Sequence, residues 1–324
     1  MNAPQQRSGR IVILGIYVTD LTFRAERMPL IGETIAGSAF AMGPGGKGSN
    51  QAVAAARAGA EVVFCTRIGN DAFGAIARTT WAAEGITARA SVVEGVSTGA
   101  AHIFVDDTTG MNAIIVASGA AGTMNAADVD AIEADIAAAR VFVTQLEQPL
   151  PAARRGLQVA RKHGVITVFN PAPALPLDDG IFPLCDYITP NETEATALTG
   201  VPIANADDAR RAADVLLAKG VGAVIVTLGE GGALLHSATQ SVHVPAYQCG
   251  RVVETAGAGD GFTGGFAAAL ARGDDAITAM RFGCALAGIS VTRPGTAPSM
   301  PTLDEVKRVM NQSGSQSSRT SQAC

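Results

Sequence analysis

Short apolar runs alternate along the chain with alanine-rich stretches of helical character. The runs are rich in Val, Ile and Phe, as strands buried on both faces of a sheet are. Strands that alternate with helices are typical of repeated βαβ units, so the pattern predicts a mostly parallel central sheet covered by helices. The runs predicted as strands are IVILGI, EVVFCTRIG, ARVFVTQL, GVITVFN, CDYITPN and GAVIVTLG.

One segment departs from this alternation. The residues STGAAHIFVDDTTGMNAIIVASG have the pattern of two strands joined by a turn near positions 107–110, with no helix between them. Together with GETIAGSAFAMG, this segment predicts a small separate sheet, a lid over one edge of the main sheet. An ordinary edge hairpin is the alternative interpretation.

Composition and charge exclude several classes of protein. With 324 residues, 48% hydrophobic and 16% charged, the chain can bury a large core. The formal charge of −5 shows no basic excess, so a nucleic-acid partner is not expected. The five cysteines are far apart and lack C-x-x-C spacing, which favours neither a disulfide framework nor a zinc site and fits a reducing cytoplasm.

The two ends of the chain differ in character. The run IVILGIYV follows two arginines, as a signal sequence would, but Asp20 comes soon after and no A-x-A site follows. Because no apolar run reaches about 18 residues, no membrane span is expected. At the other end QSGSQSSRTSQAC is polar. The sequence predicts one domain over residues 1–310 and a disordered tail over 311–324.

The first glycine cluster, GPGGKGSNQAVAAARAG, sets glycines and Lys47 before an alanine-rich helix, as phosphate-binding loops do. It does not fit the nucleotide P-loop G-x-x-x-x-G-K-[S/T], because Gly48 follows the lysine and Ala41 stands where the first glycine is required. A ligand other than a nucleotide has to be considered for this loop.

The second cluster, VVETAGAGDGFTGGFAAALARG, also leads into a helix, whose free N–H groups favour phosphate oxygens. Asp260 lies at the same place, where a carboxylate would repel a resting pyrophosphate. Phe262 breaks the dinucleotide pattern G-x-G-x-x-G, which disfavours an oxidoreductase. An acid beside an anion hole suits a base that deprotonates an attacking hydroxyl during phosphoryl transfer. A plain N-cap role for Asp260 is the alternative.

Both clusters together resemble the ribokinase (PfkB) family of sugar and nucleoside kinases, from about residue 11 to residue 309. The resemblance implies a three-layer α/β/α fold with a mostly parallel sheet and a small β-lid that often serves as a dimer clasp. It also implies transfer of the ATP γ-phosphate to the hydroxymethyl group of a pentose such as ribose. The segments that carry it are GGKGSNQAVAAARAGA, RIGNDAFG, QLEQPL, NPAPA, TPNETEATALTG, TLGEGGA and ETAGAGDGF.

The resemblance also assigns candidate roles to individual residues. It makes Asp260 the base, with Gly257, Ala258 and Gly259 in the anion hole, and gives the first cluster to the acceptor sugar rather than to the nucleotide. For Asp20 the alternative is an ordinary surface Asp, and for Glu147 it is a solvated Glu. The acceptor-binding residues are expected to be Asp20, Gly46, Lys47, Asn50 and Glu147.

For ATP, NETE resembles the family motif N-x-x-E, with Asn191 near the phosphates and Glu194 holding Mg²⁺ through water. On its own NETE is equally well explained as an N-cap followed by acidic first-turn residues. Cys284 stands near the expected adenine position. The remaining nucleotide-loop positions are Thr227, Gly229 and Gly232, which could equally be a strand that ends in a glycine turn.

The family also implies a monovalent cation, K⁺ above all, beside the anion hole. Glu254 replaces the usual Asp, and its extra methylene moves the carboxylate by about a bond length. The positions matching the cation loop are Glu254, Ala256, Ser290, Arg293, Gly295 and Ser299.

A second departure lies in GIYVTD, where the family has Asn two residues before the sugar-binding Asp and this chain has Val18. If Val18 faces the acceptor, the lost hydrogen bond costs about 0.5–1.5 kcal/mol and favours a deoxysugar, a nucleoside or another modified sugar. Alternatively Val18 turns into the core and Tyr17 or Thr19 takes over the contact.

The sequence as a whole predicts a cytoplasmic, homodimeric sugar kinase. A sugar sensor that keeps the fold without catalysis is the alternative function.

Overall fold

The computed structural model describes residues 9–320, which form two sheets and the helices packed on them. The strands are β1 Arg10–Leu14, β2 Val18–Ala25, β3 Ala39–Gly45, β4 Glu61–Gly69, β5 Thr87–Val93, β6 Thr98–Asp106, β7 Asn112–Gly119, β8 Val141–Thr144, β9 Ile166–Phe169, β10 Tyr187–Ile188, β11 Ala223–Thr227, β12 Ala233–Ser237 and β13 Ser241–Val244.

The α-helices connect these strands. They are α1 Lys47–Arg57, α2 Ala72–Ala83, α3 Ala126–Asp130, α4 Glu133–Ala138, α5 Leu150–Lys162, α6 Glu192–Thr199, α7 Ala206–Ala218, α8 Ala258–Arg272, α9 Ala276–Ser290 and α10 Leu303–Thr320. No helix within residues 9–320 is long and apolar enough to cross a membrane.

The main sheet has nine strands in the order β13-β12-β11-β10-β9-β8-β1-β4-β5. All neighbouring pairs from β11 to β5 are parallel, while β12 and β13 are antiparallel to their neighbours. The six strands predicted from the sequence all lie in the parallel part. The prediction missed the two edge strands β5 and β13, whose runs are largely exposed and therefore less apolar, and it missed β12, a run of only five residues between β13 and the parallel strands that ends in His and Ser.

Side chains of the central strands alternate between two hydrophobic cores, one on each face of the main sheet. Ile11 and Ile13 of β1 point to the core formed with α1, α2, α8 and α9. Val12 and Leu14 point to the core formed with α3, α5 and α7. Because successive side chains of a strand point to opposite faces, a strand apolar at every position must be covered on both. This confirms the predicted three layers.

The lid is a separate four-stranded sheet in the order β3-β2-β6-β7, which confirms the predicted lid rather than an edge hairpin. In it, β2 pairs parallel with β6, while β3 and β7 are antiparallel to their neighbours. The turn between β6 and β7 falls at the predicted place. In GETIAGSAFAMG only the part from Ala39 onward is strand.

The C-terminal end departs from the predicted disordered tail. Helix α10 continues to Thr320, so residues 311–320 are helical in the structure, and residues 321–324 lie outside the described residues. The helix begins with an amphipathic stretch that packs Val306 into the core, and this buried start supports the polar continuation. The body predicted over residues 1–310 has no linker within its described part.

Candidate active site

Polar side chains gather at the carboxyl ends of the parallel strands, where open α/β sheets bind ligands. Gln145 follows β8, Asn170 follows β9 and Thr189 follows β10, and all three are buried. The lid strand β2 starts soon after β1, which brings its Asp20 to the same edge. The two glycine clusters predicted to bind ligands therefore meet at one place.

Both glycine clusters lead into helices with the same local design. Gly46 is the N-cap residue of helix α1 and Gly257 is that of helix α8. Neither helix start receives a capping hydrogen bond from the side chain of its N-cap residue, because glycine has none. The two glycines have positive φ angles of 87° and 78°, which favour glycine. The two helices pack against each other, with Gly264 of α8 against the backbone of Gln51 in α1.

Asp260 lies in the first turn of α8 and is 5% exposed. Its Oδ2 accepts a hydrogen bond from Asn50 Nδ2 at 3.0 Å, and its Oδ1 accepts one from Gln51 Nε2 at 3.2 Å. Gly257 is the N-cap of the helix, and no side chain caps it. The alternative N-cap interpretation of Asp260 is therefore wrong, because its carboxylate is held by residues of α1.

A chain of buried amides extends from Asp260 into the protein. Gln51 also donates to Asn170 Oδ1 at 3.2 Å and accepts from Gln145 Nε2, while Asn170 donates to the carbonyl of Thr189 at 2.9 Å. The sequence analysis missed Gln51, Asn170 and Gln145. Two signals could have found them: amides directly after two strands predicted as parallel neighbours, and a second amide beside Asn50.

Lys47 and Glu147 join the start of α1 to the segment after β8. The backbone N–H of Lys47 donates to Glu147 Oε2 at 2.8 Å. Burial raises the pKa of Glu147 to about 7, although the Lys47 charge opposes this shift. The charge of Asp260, followed by those of Glu147 and Glu194, raises the pKa of the Lys47 ammonium against the effect of burial. The solvated-Glu alternative for Glu147 is therefore wrong.

Asp20 lies on the lid and reaches across to the loop after α9. Its Oδ2 accepts a hydrogen bond from Thr296 Oγ1 at 3.2 Å. Burial raises the pKa of Asp20 to about 6, the Thr296 hydrogen bond lowers it, and the charges of Asp260 and Glu254 raise it further. A plain surface position for Asp20 is excluded by this burial.

Val18 lies on the same face of the lid sheet as Asp20, because the two are separated by one residue of β2. It is 2% exposed, belongs to one of the two hydrophobic cores and packs towards Gly99 of β6, so the alternative that Val18 turns into the core is supported. Tyr17 and Thr19 point to the opposite side, where their hydroxyls are 3.2 Å apart and Tyr17 packs edge-on against Trp81. The structure therefore gives no support to Tyr17 or Thr19 as a substitute contact.

The predicted nucleotide positions fall in two groups. Asn191 and Glu194 form a capping box at the start of α6, each side chain accepting from the other's backbone N–H, and Asn191 pairs with Thr227 in an isolated bridge. Gly229 and Gly232 form the turn after β11. Cys284, by contrast, is buried in the core of α8 and α9, and burial raises its pKa to about 12.

The predicted cation loop brings two segments together beside the start of α8. Glu254 Oε2 accepts from the backbone N–H of Gly295 at 2.8 Å, and the N–H groups of Val253 and Glu254 donate to the Val291 carbonyl. Ser290 and Ser299 turn their hydroxyls to backbone carbonyls, Arg293 pairs with Glu305, and Ala256 lies just before Gly257. Within residues 9–320 no group of three or more His, Cys, Asp or Glu side chains could hold a metal ion.

Comparisons with known proteins identify the family to which the fold belongs. The model of the pfkB family carbohydrate kinases matches residues 8–303. A ribokinase of Haemophilus influenzae is 40% identical over 296 residues, covering 91% of this chain and 96% of its own. A deoxyribokinase of Salmonella typhi is 38% identical over 303 residues, covering 93% and 98%. The structure of an Arabidopsis thaliana ribokinase complexed with ribose and ATP matches with a TM-score of 0.85 and 28% identity, covering 93% of this chain and 98% of its own.

The fold and the site therefore define a phosphotransferase of the α/β class that acts on a carbohydrate. This chain belongs to the pfkB family of carbohydrate kinases. The resemblance inferred from the sequence is thereby confirmed, as is the predicted kinase activity.

Proposed function

We propose that this chain is an ATP-dependent ribokinase, which transfers the γ-phosphate of ATP to the hydroxymethyl group of ribose and forms ribose 5-phosphate. The observation that carries the proposal is the meeting of Asp260 at the open start of α8 with the acceptor-type residues of α1 and the lid. Ribose is favoured because full-length relatives at 33–40% identity are named ribokinases.

Asp260 acts as the base. It takes the proton of the acceptor hydroxyl as that oxygen bonds to the γ-phosphorus; the bond from phosphorus to the bridging oxygen of ADP breaks, and ADP leaves. Asn50 and Gln51 fix the carboxylate by donating to its two oxygens. The N–H groups at the start of α8, from Gly257, Ala258 and Gly259, stabilise the charge that develops on the phosphoryl oxygens.

The acceptor lies between the lid and α1, where Asp20, Glu147 and Asn50 accept hydrogen bonds from its hydroxyls. Asn50 Oδ1 supports this role, because it is buried and has no hydrogen-bond partner among the described residues. Its amide is held by Asp260, so its oxygen is free for an acceptor hydroxyl. The turn at Gly46 and Lys47 allows the backbone to approach the sugar closely.

ATP lies with its phosphates between α8 and the start of α6. The residues fit such a ligand, because α8 begins without a capping side chain and the space around Gly259 is open. Mg²⁺, when bound, would neutralise part of the phosphate charge. Glu194 would hold it through water with the carboxylate oxygen that the capping box leaves unused, and burial raises the pKa of this carboxyl. Asn191, Thr227, Gly229 and Gly232 contact the nucleotide. Cys284 enters the site only if the adenine reaches the core of α8 and α9.

K⁺ would be held by the loop formed by residues 254–256 and 290–299. Glu254 would offer its second oxygen, since the first already accepts from Gly295. The remaining ligands would be backbone oxygens of Ala256, Ser290, Arg293, Gly295 and Ser299. Because this loop leads directly into Gly257, its order determines the geometry of the anion hole.

A sugar and nucleoside panel with an ATP-consumption readout tests the proposal. We expect ribose to give the highest kcat/KM and the product to carry its phosphate on the hydroxymethyl oxygen, as phosphorus NMR would show. Consumption of ATP that no sugar stimulates, or a clear preference for a nucleoside, would contradict ribokinase activity.

A 2-deoxyribose kinase is the second candidate, favoured by Val18 on the Asp20 face of the lid. An isopropyl group there offers no hydrogen bond to a ribose hydroxyl, which costs about 0.5–1.5 kcal/mol, or roughly two- to tenfold in affinity. The full-length deoxyribokinase relative is consistent with this alternative. The comparison of kcat/KM for ribose and 2-deoxyribose in the parent and in Val18→Asn decides it. Val18→Asn should gain on ribose relative to 2-deoxyribose.

If the parent prefers ribose and Val18→Asn gains nothing, the deoxysugar candidate is excluded. Val18→Leu provides a matched control, because it keeps an apolar side chain at this position and should leave the ratio of the two sugars nearly unchanged.

The lid also provides a surface for a second copy of the chain. Its face opposite Asp20 carries four exposed apolar side chains, with the Phe23 ring tilted against Phe40 and stacked on His102. Such a patch is unusual on a monomer. Substitution Phe40→Ser should shift the molar mass measured by light scattering from dimer to monomer, whereas a monomeric parent would contradict the proposal. The four side chains are Phe23, Phe40, Met42 and Ile115.

A further inference from the structure

Thr296 lies in the loop after α9, at the point where the lid meets the loop assigned to the cation. Its Oγ1 is 3.2 Å from Asp20 Oδ2 and 3.1 Å from the carbonyl oxygen of Pro44 in β3. A hydroxyl has one proton, so it donates to one of the two acceptors at a time. Thr296 is not among the positions that the sequence assigned to any ligand.

The backbone around Thr296 is fixed from two sides. The preceding N–H, that of Gly295, donates to Glu254 at 2.8 Å. On the other side, Cα and Cβ of Thr296 are 3.3 Å from the position that a Cβ on Gly257 would occupy. Thr296 therefore packs directly against the start of α8, while its hydroxyl reaches the acceptor side of the cleft.

The surroundings of the Asp20 carboxylate indicate how the Thr296 hydroxyl affects it. The Asp20 carboxylate lies against the backbone of Gly45, where it is within 2.3 Å of the position that a Cβ on Gly45 would occupy. Strand β3 therefore covers one side of the carboxylate. It faces the negative charges of Asp260 and Glu254, and Glu147 is nearby. A donor at Oδ2 favours the ionised carboxylate and limits the rotation of the carboxylate group.

We propose that Thr296 is a positioning residue that orients the Asp20 carboxylate for the acceptor sugar and keeps it ionised. The inference rests on the proposed function, because it takes Asp20 as an acceptor-binding group. Thr296 thereby connects the loop beside the anion hole to the acceptor site. A threonine that only fixes the lid, by donating to Pro44, is the alternative.

Thr296→Val removes the hydroxyl and keeps the shape, and Thr296→Ser keeps the hydroxyl. We expect Thr296→Val to raise the acceptor KM by about tenfold, as for one hydrogen bond to a charged group, with a smaller effect on kcat and on the KM for ATP. The acid limb of kcat/KM for the sugar moves to higher pH, since loss of the donor raises the pKa of Asp20. Thr296→Ser should retain the parent values.

A second measurement is independent of any substrate. With ¹³C-labelled aspartate, the carboxyl resonance of Asp20, identified by its loss in Asp20→Asn, is titrated in the parent and in both variants. The pKa should be higher in Thr296→Val than in the parent and unchanged in Thr296→Ser. If Thr296→Val fails to fold, as judged by its thermal transition, Thr296→Ala is titrated instead.

An unchanged Asp20 pKa in the hydroxyl-free variant overturns the proposal, as does an unchanged acceptor KM. A KM that rises equally in Thr296→Ser and Thr296→Val also overturns it, since that result indicates packing rather than the hydroxyl. A parent without sugar kinase activity refutes the proposed function instead, and the titration still decides whether Thr296 acts on Asp20.

Discussion

The starts of α1 and α8 are built from the same parts, yet one is closed by the protein and the other is open. At α1 the N–H of Lys47 donates to Glu147 and that of Ser49 to the carbonyl of Ile16. At α8 the N–H of Ala258 donates to the carbonyl of Thr255 at 3.2 Å, but the structure shows no acceptor for the N–H groups of Gly259 and Asp260 among the described residues, and the space around Gly259 is open. Both helices follow a glycine with positive φ.

This difference indicates what each start is able to bind. Glu147 already places a negative charge at the start of α1, so an anionic ligand is disfavoured there and hydroxyl groups are suited to it. The start of α8 keeps unsatisfied N–H groups and the positive end of the helix dipole, which favour a phosphoryl group. Four predictions test this contrast.

The largest effect is expected at the open start, from Asp260→Asn. The amide keeps the shape but cannot accept the hydroxyl proton, so kcat should fall by about 10²–10⁴ while the KM for ATP changes little. Steady-state kinetics with both substrates measures this, and Asp107→Asn in the exposed lid turn is the control. A variant that retained half of the parent kcat would exclude Asp260 as the base.

The two glycines provide a matched pair. Both alanine variants are strained, because φ is positive at both positions. A Cβ at Gly46 would lie 2.7 Å from the Ile16 carbonyl, whereas at Gly257 the nearest atoms are 3.3 Å away. Gly46→Ala should therefore lose more stability, by more than about 1 kcal/mol, and Gly257→Ala should lose kcat by roughly 10–100-fold.

Urea denaturation gives the stabilities of this pair, and initial rates give kcat. Equal losses of stability and of kcat in Gly46→Ala and Gly257→Ala would remove the distinction between a closed and an open helix start.

The closed start predicts a pH dependence of acceptor binding. Burial raises the pKa of Glu147 to about 7 and that of Asp20 to about 6, and the ionised forms accept hydrogen bonds from the sugar. As pH falls from 8 to 6, Glu147 becomes mostly protonated and Asp20 begins to take up its proton, so the acceptor KM should rise by about tenfold. Glu147→Gln should raise the KM at pH 8 and flatten this dependence, whereas the exposed Glu94→Gln should not.

The same raised pKa values affect the stability of the ligand-free protein in the opposite direction: stability decreases as pH rises, whereas acceptor binding improves. The folded state binds these protons more tightly than the unfolded state, so their stabilisation is fully present below pH 4 and is lost as pH rises through about 6–7. The increase in melting temperature caused by ribose should be larger at pH 8 than at pH 6. An increase that is the same at both values would contradict the acceptor role of the two carboxylates.

The smallest effect concerns the cation loop before α8. K⁺ should increase kcat severalfold relative to Na⁺ or to no monovalent cation, because the Glu254 loop fixes the position of Gly257. Glu254→Asp tests whether the longer glutamate side chain weakens activation by K⁺. We expect K⁺ to increase kcat more in Glu254→Asp than in the parent. Identical rates in all three salts would refute a cation at this loop.

Much of the fold could be predicted from the sequence because its signals are local. Runs apolar at every position required a sheet covered on both faces, and six of them are the parallel strands of the main sheet. The two glycine clusters marked the helix starts, and the turn near 107–110 marked the lid. Helix α10 and the edge strands were missed, since their patterns are partly polar.

The site was predictable only where local motifs carried it. Asp260, Lys47 and Glu147 stand in recognisable segments, whereas Gln51 and Thr296 act through partners distant in the chain. Gln51 is separated from Asp260 by 209 residues and Thr296 from Asp20 by 276. No local pattern specifies such a pair.

By itself the sequence determined the parallel strands, the helices that follow the two glycine clusters and the lid turn, because backbone preferences and the spacing of apolar residues act over a few neighbours. The tertiary structure decided which helix start is closed, by bringing Glu147 to α1 and leaving α8 open. It also decided that Val18 shares a lid face with Asp20. These outcomes depend on which distant groups meet when the sheet and the lid close, and a hydrogen bond forms only between groups that the fold brings within about 3 Å.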